Sequence, residues 1–167
     1  MAGFGEQKKN TPNTQSRKKT GPKLLEKAVK LHKSGKISEA EIYYVQAIES
    51  GFHHEIAFSN LGVIYKNTNR FKEAAEIYKR AILSNPRFAD AHANLGNLLK
   101  EEGLLDHALA ATLKSLELKP DNPDAHMNLG GIYKDLGQLD HALAATLKSL
   151  ELKPDNPTAH MNLGGIY

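Results

Sequence analysis

The sequence predicts an all-α protein, arranged as a solenoid of antiparallel helix pairs. Leucine–glycine pairs recur without slippage at a spacing of 34 residues, which indicates a repeat array. Within each repeat, two apolar stripes at helical spacing lie on either side of a turn signal, which is typical of a helical hairpin. The four pairs are Leu61–Gly62, Leu95–Gly96, Leu129–Gly130 and Leu163–Gly164.

The first 20 residues are predicted to form a disordered basic tail, because they contain few apolar residues that could be buried. Five lysines and arginines stand there against Glu6, a net charge of +4, whereas the whole chain carries +3. The other 147 residues therefore sum to −1, which disfavours a nucleic-acid or membrane partner for the folded part. The tail either contacts an acidic partner, nucleic acid or anionic lipid, or serves as a solubilising leader.

Four complete repeats and part of a fifth are predicted after the tail. A degenerate first repeat covers 21–54 and the following repeats cover 55–88, 89–122 and 123–156, with the first helix of an incomplete fifth at 157–167. Repeat arrays normally end in a capping element with a polar outer face. We therefore expect either that the chain is the N-terminal part of a longer protein or that it self-associates through its uncapped last helix.

Turn and capping residues are predicted at fixed places in the repeats. Glycine or asparagine stands between the two helices of each hairpin, where the left-handed backbone region is needed. These residues are Gly35, Asn69, Gly103 and Gly137. In the pairs Asn122–Pro123 and Asn156–Pro157, the asparagine is expected to cap the next helix and the proline to occupy its first turn.

The repeats resemble the tetratricopeptide repeat (TPR) family. The second repeat matches all eight positions of the family pattern, with Phe58, Leu61, Gly62, Tyr65, Ala74, Tyr78, Ala81 and Pro86. The fourth departs from it at Thr146 and Ser149, and the first lacks the leucine and the proline. The resemblance implies a right-handed superhelical solenoid that serves as a protein–protein interaction scaffold. Because Thr112 and Thr146 replace a large ring, looser packing is expected in the C-terminal half.

A binding site is predicted on the first helix of each repeat, opposite the stripe that packs within the hairpin. The residue just before each repeat leucine is an asparagine: Asn60, Asn94, Asn128 and Asn162. This row is similar to the asparagine ladder of the O-linked N-acetylglucosamine transferase superhelix, which holds peptide main chain in a concave groove. Asn67 and Asn97 are further groove candidates. The alternative is that these asparagines are simply exposed polar residues that were copied by duplication.

The sequence predicts no catalytic, metal or cofactor site. Zero cysteines exclude thiolate chemistry and disulfides. The repeated histidines His92, His126 and His160 are separated by about 10 Å, the width of packed helices, and so do not share one ion. Phosphate-binding and hydrolase motifs are absent from the sequence. Lys66, Lys100 and Lys134, at the groove edge, are expected to be solvated.

The expected function is therefore that of a non-catalytic scaffold, which binds an extended peptide or a partner helix in its groove and has no small-molecule substrate. The alternative function is a substrate-recruiting TPR region of a larger glycosyltransferase, sulfotransferase or methyltransferase, whose catalytic domain is absent from this chain. No run of about 18 apolar residues or secretory leader is found. A cytoplasmic location is expected.

Overall fold

The computed structural model of the chain describes the backbone of residues 14–166 and the side chains of residues 20–166. Within that part of the chain there are nine α-helices and no β-strand. The chain divides into two compact units, Met1–His54 and Glu55–Tyr167, which are called here the N-terminal and C-terminal units.

The N-terminal unit is a pair of helices, α1 (Thr14–Lys33) and α2 (Ile37–Glu49). Helix α1 begins within the segment that was expected to be a disordered tail, so residues 14–20 form its first turns. The rest of that expected tail, residues 1–13, lies outside the described residues. Ala28 of α1 and Ala40 and Tyr44 of α2 are fully buried, and His32 Nδ1 lies 3.2 Å from the Tyr44 hydroxyl.

The C-terminal unit contains three helical hairpins and a further single helix. The helices are α3 (Glu55–Asn67), α4 (Phe71–Ser84), α5 (Ala89–Glu101), α6 (Leu105–Leu118), α7 (Pro123–Asp135), α8 (Leu139–Leu152) and α9 (Pro157–Gly164). Each hairpin pairs two consecutive helices, and α9 packs on both α7 and α8. The first helices of consecutive hairpins also contact each other, α3 with α5, α5 with α7 and α7 with α9. They form a common surface, called here the first-helix face.

The turns and caps follow the sequence prediction. Asn69 has a φ of 59°, and Gly35, Gly103 and Gly137 have φ values of 76°, 76° and 73°. The Asn122 side chain accepts hydrogen bonds from the backbone N–H groups of Asp124 and Ala125. Asn156 accepts one from Ala159 in the same way. Since these caps satisfy amide groups that have no partner within the helix, they fix where α7 and α9 begin.

The hairpins are held by close contacts at the glycines of the repeat pattern. A Cβ atom on Gly62 would lie 2.3 Å from the Tyr78 ring. A Cβ on Gly96 would lie 2.3 Å from Thr112 Oγ1 and 3.1 Å from the backbone oxygen of Ala108. The absence of a side chain at these glycines is therefore what allows the two helices of a hairpin to approach.

The expectation of looser packing around the threonines is wrong. Thr112 and Thr146 are both 0% exposed, and the contact of Gly130 with Thr146 repeats the geometry of Gly96 with Thr112. At Gly62 the nearest atoms all belong to the Tyr78 ring, whereas at Gly96 and Gly130 they include backbone atoms of the facing helix. The smaller side chain is therefore accommodated by closer approach of the two backbones instead of by a void.

Candidate functional site

The asparagine row lies on the first-helix face of the C-terminal unit, and its members differ in burial. Asn128 and Asn162 are 5% and 7% exposed, whereas Asn60 and Asn94 are half-buried. The expectation that all four amides project into an open groove is therefore wrong for Asn128 and Asn162. Helical periodicity places these two side chains away from the packing stripe of their own hairpin. They are buried because the first helix of the preceding repeat covers that side.

Asn128 and Asn162 hold consecutive first helices together. Asn128 Nδ2 donates to the backbone oxygen of Ala93 at 3.3 Å, and Asn162 Nδ2 donates to that of Met127 at 3.1 Å. Each acceptor lies 35 residues earlier, on the first helix of the preceding repeat. A buried amide that bonds to a buried carbonyl stabilises the contact, because both groups would otherwise be desolvated without a partner. We call these two side chains the asparagine ties.

Asn94 is in a different environment. Its half-buried carboxamide has no hydrogen-bond partner within residues 20–166. It lines a surface cavity of about 420 Å³ on the first-helix face. The other lining residues are Ser59, Asp90, Ala93, Lys119, Asn122, Pro123 and Asp124. This cavity is therefore polar, and it contains one amide whose donor and acceptor are both available to a ligand.

The charged groups around this cavity are partly paired with each other. Asp90 Oδ1 lies 3.6 Å from Lys119 Nζ and 3.3 Å from Asn122 Nδ2. The Lys119 and Asp90 side chains are each more than half exposed, so their ion pair contributes little to stability. Asp124 stands in the first turn of α7 and is exposed. The rim of the cavity therefore presents charges that remain in contact with water.

The two further groove candidates are differently placed. Asn67 is exposed at the end of α3. Asn97 is half-buried and belongs to a network between repeats. It accepts a hydrogen bond from Lys66 Nζ and donates one to Asn128 Oδ1 at 3.1 Å, and Lys66 also pairs with Glu101 at 2.8 Å. Lys66 is therefore not simply solvated, as the sequence led us to expect.

The repeated histidines have a structural role that the sequence interpretation did not identify. The Nε2 atoms of His92, His126 and His160 donate to the carbonyl oxygens of Pro86, Pro120 and Pro154, at 3.0, 2.8 and 2.8 Å. Each bond joins a first helix to the connection that precedes it. The signal in the sequence was the constant spacing of six residues from proline to histidine. Among the described residues there is no cluster of three or more histidine and carboxylate side chains placed to hold a metal ion.

Family profiles match most of the C-terminal unit. A profile described as TPR repeat matches residues 96–137 and 130–167, and one described as tetratricopeptide repeat matches 57–88. The chain belongs to the tetratricopeptide repeat family. The prediction of an all-α TPR solenoid is confirmed, and no helix of the described chain is both long and apolar enough to span a membrane. Among curated protein sequences, none matches this TPR protein.

Solved structures show the same fold at low sequence identity. MamA 41-end from Desulfovibrio magneticus RS-1 superposes with a TM-score of 0.74 and 18% identity, over 88% of this chain and 83% of that one. TTC0263, a thermophilic TPR protein in Thermus thermophilus, gives 0.72 and 21%, over 88% and 81%. The APC/C hetero-tetramer Cut9–Hcn1 gives 0.75 and 20%, over 87% of this chain and 29% of that chain.

Proposed function

We propose that this TPR protein is a non-catalytic scaffold, which holds an extended segment of a partner protein on its first-helix face at Asn94. The observation that carries the proposal is the half-buried Asn94 carboxamide, which has no partner among the described residues and lines a cavity of about 420 Å³. A carboxamide offers a donor and an acceptor together, which matches the alternating N–H and C=O groups of an extended main chain.

The surroundings of Asn94 support this role. The asparagine ties join consecutive first helices, among them α5, which carries Asn94, so that the amide stands on a rigid surface and little ordering is required on binding. Tetratricopeptide repeat arrays typically serve as protein-interaction scaffolds, and the Cut9–Hcn1 structure contains two different proteins in one assembly. Both facts favour a protein partner for this chain.

The proposal is tested by capturing partners on the immobilised full chain and repeating the capture with Asn94→Ala. We expect the variant to lose at least five-fold in affinity for a partner that the unchanged chain retains, with unaltered helix content by circular dichroism. Asn67→Ala is the matched control, because Asn67 is exposed at the end of α3, and it should bind normally. Equal affinity of Asn94→Ala and the unchanged chain would show that the cavity is not the binding site.

A further inference from the structure

In the C-terminal unit, a lysine on the first helix of each hairpin reaches across towards the next repeat. In the second repeat, Lys66 finds two acceptors there. Its Nζ donates to Asn97 Oδ1 and pairs with the Glu101 carboxylate at 2.8 Å. The protein therefore supplies its own oxygen atoms to this ammonium group, and Lys66 belongs to a network that continues through Asn97 to Asn128.

Neither contact is made one repeat further along. Lys100 stands 34 residues after Lys66, and the places of Asn97 and Glu101 are taken by Gly131 and Asp135. Glycine has no side chain to accept a bond, and aspartate is one methylene shorter than glutamate. Lys100 makes no ion pair or side-chain hydrogen bond with any residue in the described part of the chain.

Two nitrogen donors meet at the position of the missing side chain. Lys100 Nζ lies 3.1 Å from the point where a Cβ on Gly131 would be, and Asn162 Nδ2 lies 3.5 Å from the same point. In the preceding repeat, the Asn97 side chain occupies this place and its oxygen receives the lysine proton. The three atoms nearest to this point thus include a cationic donor and an amide donor and no acceptor; the same Asn162 amide also donates to the Met127 carbonyl.

The arrangement is repeated once more. Lys134 Nζ lies 3.2 Å from the point where a Cβ on Gly165 would be, and Lys134 also has no ion-pair partner among residues 20–166. Consecutive first helices are separated by about 8–10 Å. A peptide in the polyproline II conformation advances about 3.1 Å per residue with three residues per turn, so side chains three positions apart lie on the same side of the chain and span the distance between the two lysines.

We propose that Lys100 and Lys134 bind two side-chain carboxylates of an acidic partner segment, with aspartate or glutamate residues three positions apart. This inference rests on the proposed scaffold function and gives it a partner chemistry. Each carboxylate takes the place that the Asn97 oxygen occupies beside Lys66. Lys66 itself does not take part, because its two acceptors are already within the protein.

The test is an NMR titration of the ¹⁵N-labelled full chain with a blocked glycine–serine peptide that carries two glutamates three positions apart. We expect saturable shifts of the Gly131 and Gly165 amide signals, an affinity that falls as salt is added, and no such shifts with the corresponding glutamine peptide. Equal shifts with the glutamine peptide, or the absence of shifts with the glutamate peptide, would overturn the proposal.

Matched variants make the test specific. Lys100→Gln with Lys134→Gln should weaken glutamate-peptide binding at least five-fold, whereas Lys79→Gln, at an exposed site on α4, should not change it. Gly131→Asn restores an internal acceptor and should remove the Lys100 site while the helix content is kept. The reverse change, Asn97→Gly with Glu101→Asp, should create a third site at Lys66. Unchanged peptide affinity in the Lys100→Gln, Lys134→Gln double variant would overturn the assignment.

The two proposals fail separately. A captured partner that needs Asn94 but binds the double lysine variant as tightly as the unchanged chain would overturn the lysine assignment and leave the scaffold in place. The converse result is also informative. If glutamate-peptide binding requires the two lysines but partner capture is unchanged in Asn94→Ala, the role of Asn94 is overturned and the lysine sites are kept.

Discussion

At the scale of single residues, the packing inside the α5–α6 and α7–α8 hairpins leaves buried hydroxyl groups without partners. Thr112 Oγ1, Thr146 Oγ1 and Ser115 Oγ are enclosed and make no hydrogen bond. A buried polar group in this condition destabilises a protein by about 1–3 kcal/mol. The threonines nevertheless fit closely against Gly96 and Gly130, so their shape suits the site while their polarity does not.

Thr112→Val should therefore stabilise the protein. The substitution keeps the branched shape and replaces the unpaired hydroxyl by a methyl group, and we expect the free energy of unfolding to rise by about 1 kcal/mol. Urea denaturation followed by circular dichroism measures the difference. Thr68→Val is the control, because that hydroxyl donates to the Ile64 carbonyl at 2.9 Å and its removal should bring no gain. A loss of stability in Thr112→Val would show that the hydroxyl has a partner after all.

Tyr78 gives the fold a predicted sensitivity to high pH. Burial, and to a lesser extent the negative charge of Glu101, raises the pKa of Tyr78 to about 12. Between pH 10 and 12 the unfolded chain loses this proton while the folded chain keeps it, so stability falls as the pH rises. The contribution present below pH 10 is about 2 kcal/mol, and it is lost across that interval.

The Tyr78→Phe variant isolates this effect from the other groups that titrate at high pH. Denaturation curves at pH 9 and at pH 12 should show a smaller loss of stability for Tyr78→Phe than for the unchanged chain, by about 2 kcal/mol. An identical alkaline loss in the two proteins would mean that Tyr78 ionises as readily in the folded state as in the unfolded state.

At the scale of the helical hairpin, the decisive contact is the one between a first-helix glycine and the facing helix. Gly96→Ala places a methyl group where Thr112 Oγ1 is 2.3 Å away and the Ala108 backbone oxygen is 3.1 Å away. We expect a loss of about 1–3 kcal/mol in stability, despite the better helix propensity of alanine. Gly164 is the matched control, since nothing lies within 4 Å of its Cβ position. Gly164→Ala should be neutral or slightly stabilising, and equal effects of the two changes would refute the close contact.

Much of each hairpin could be predicted from the sequence because the relevant signals are local. The turn residues Asn69, Gly103 and Gly137 and the caps Asn122 and Asn156 act within a few residues of their own positions. The burial of Asn128 and Asn162 could not be predicted in this way. Helical periodicity gives a direction relative to the partner helix within a hairpin, whereas these side chains are covered by contacts with the first helix of the preceding repeat.

The network of Lys66 was missed for the same reason. Its acceptor Asn97 lies 31 residues away and its other partner, Glu101, lies on the same helix α5. Such a network becomes visible in the sequence only when residues are compared across the repeat, as in the replacement of Asn97 by Gly131. Periodicity within a repeat does not show this network. It could have been located by comparing equivalent positions in successive repeats.

At the scale of the whole C-terminal unit, stability depends on how consecutive repeats are joined. In a repeat array, each repeat contacts its neighbours and the array is stabilised by the interfaces between them. The asparagine ties lie in such interfaces, between α5 and α7 and between α7 and α9. The same row of side chains therefore has two roles: Asn128 joins repeats, while Asn94 faces the cavity to which we assign the partner.

The most direct test of this division is the free energy of unfolding of Asn128→Ala and Asn94→Ala, measured side by side by urea denaturation of the full chain. The account predicts that Asn128→Ala loses about 1–3 kcal/mol, because the Ala93 carbonyl and the Asn97 amide lose their partner. It predicts that Asn94→Ala stays within about 0.5 kcal/mol of the unchanged chain, as a surface substitution does. Equal losses in the two variants, or a larger loss in Asn94→Ala, would contradict it.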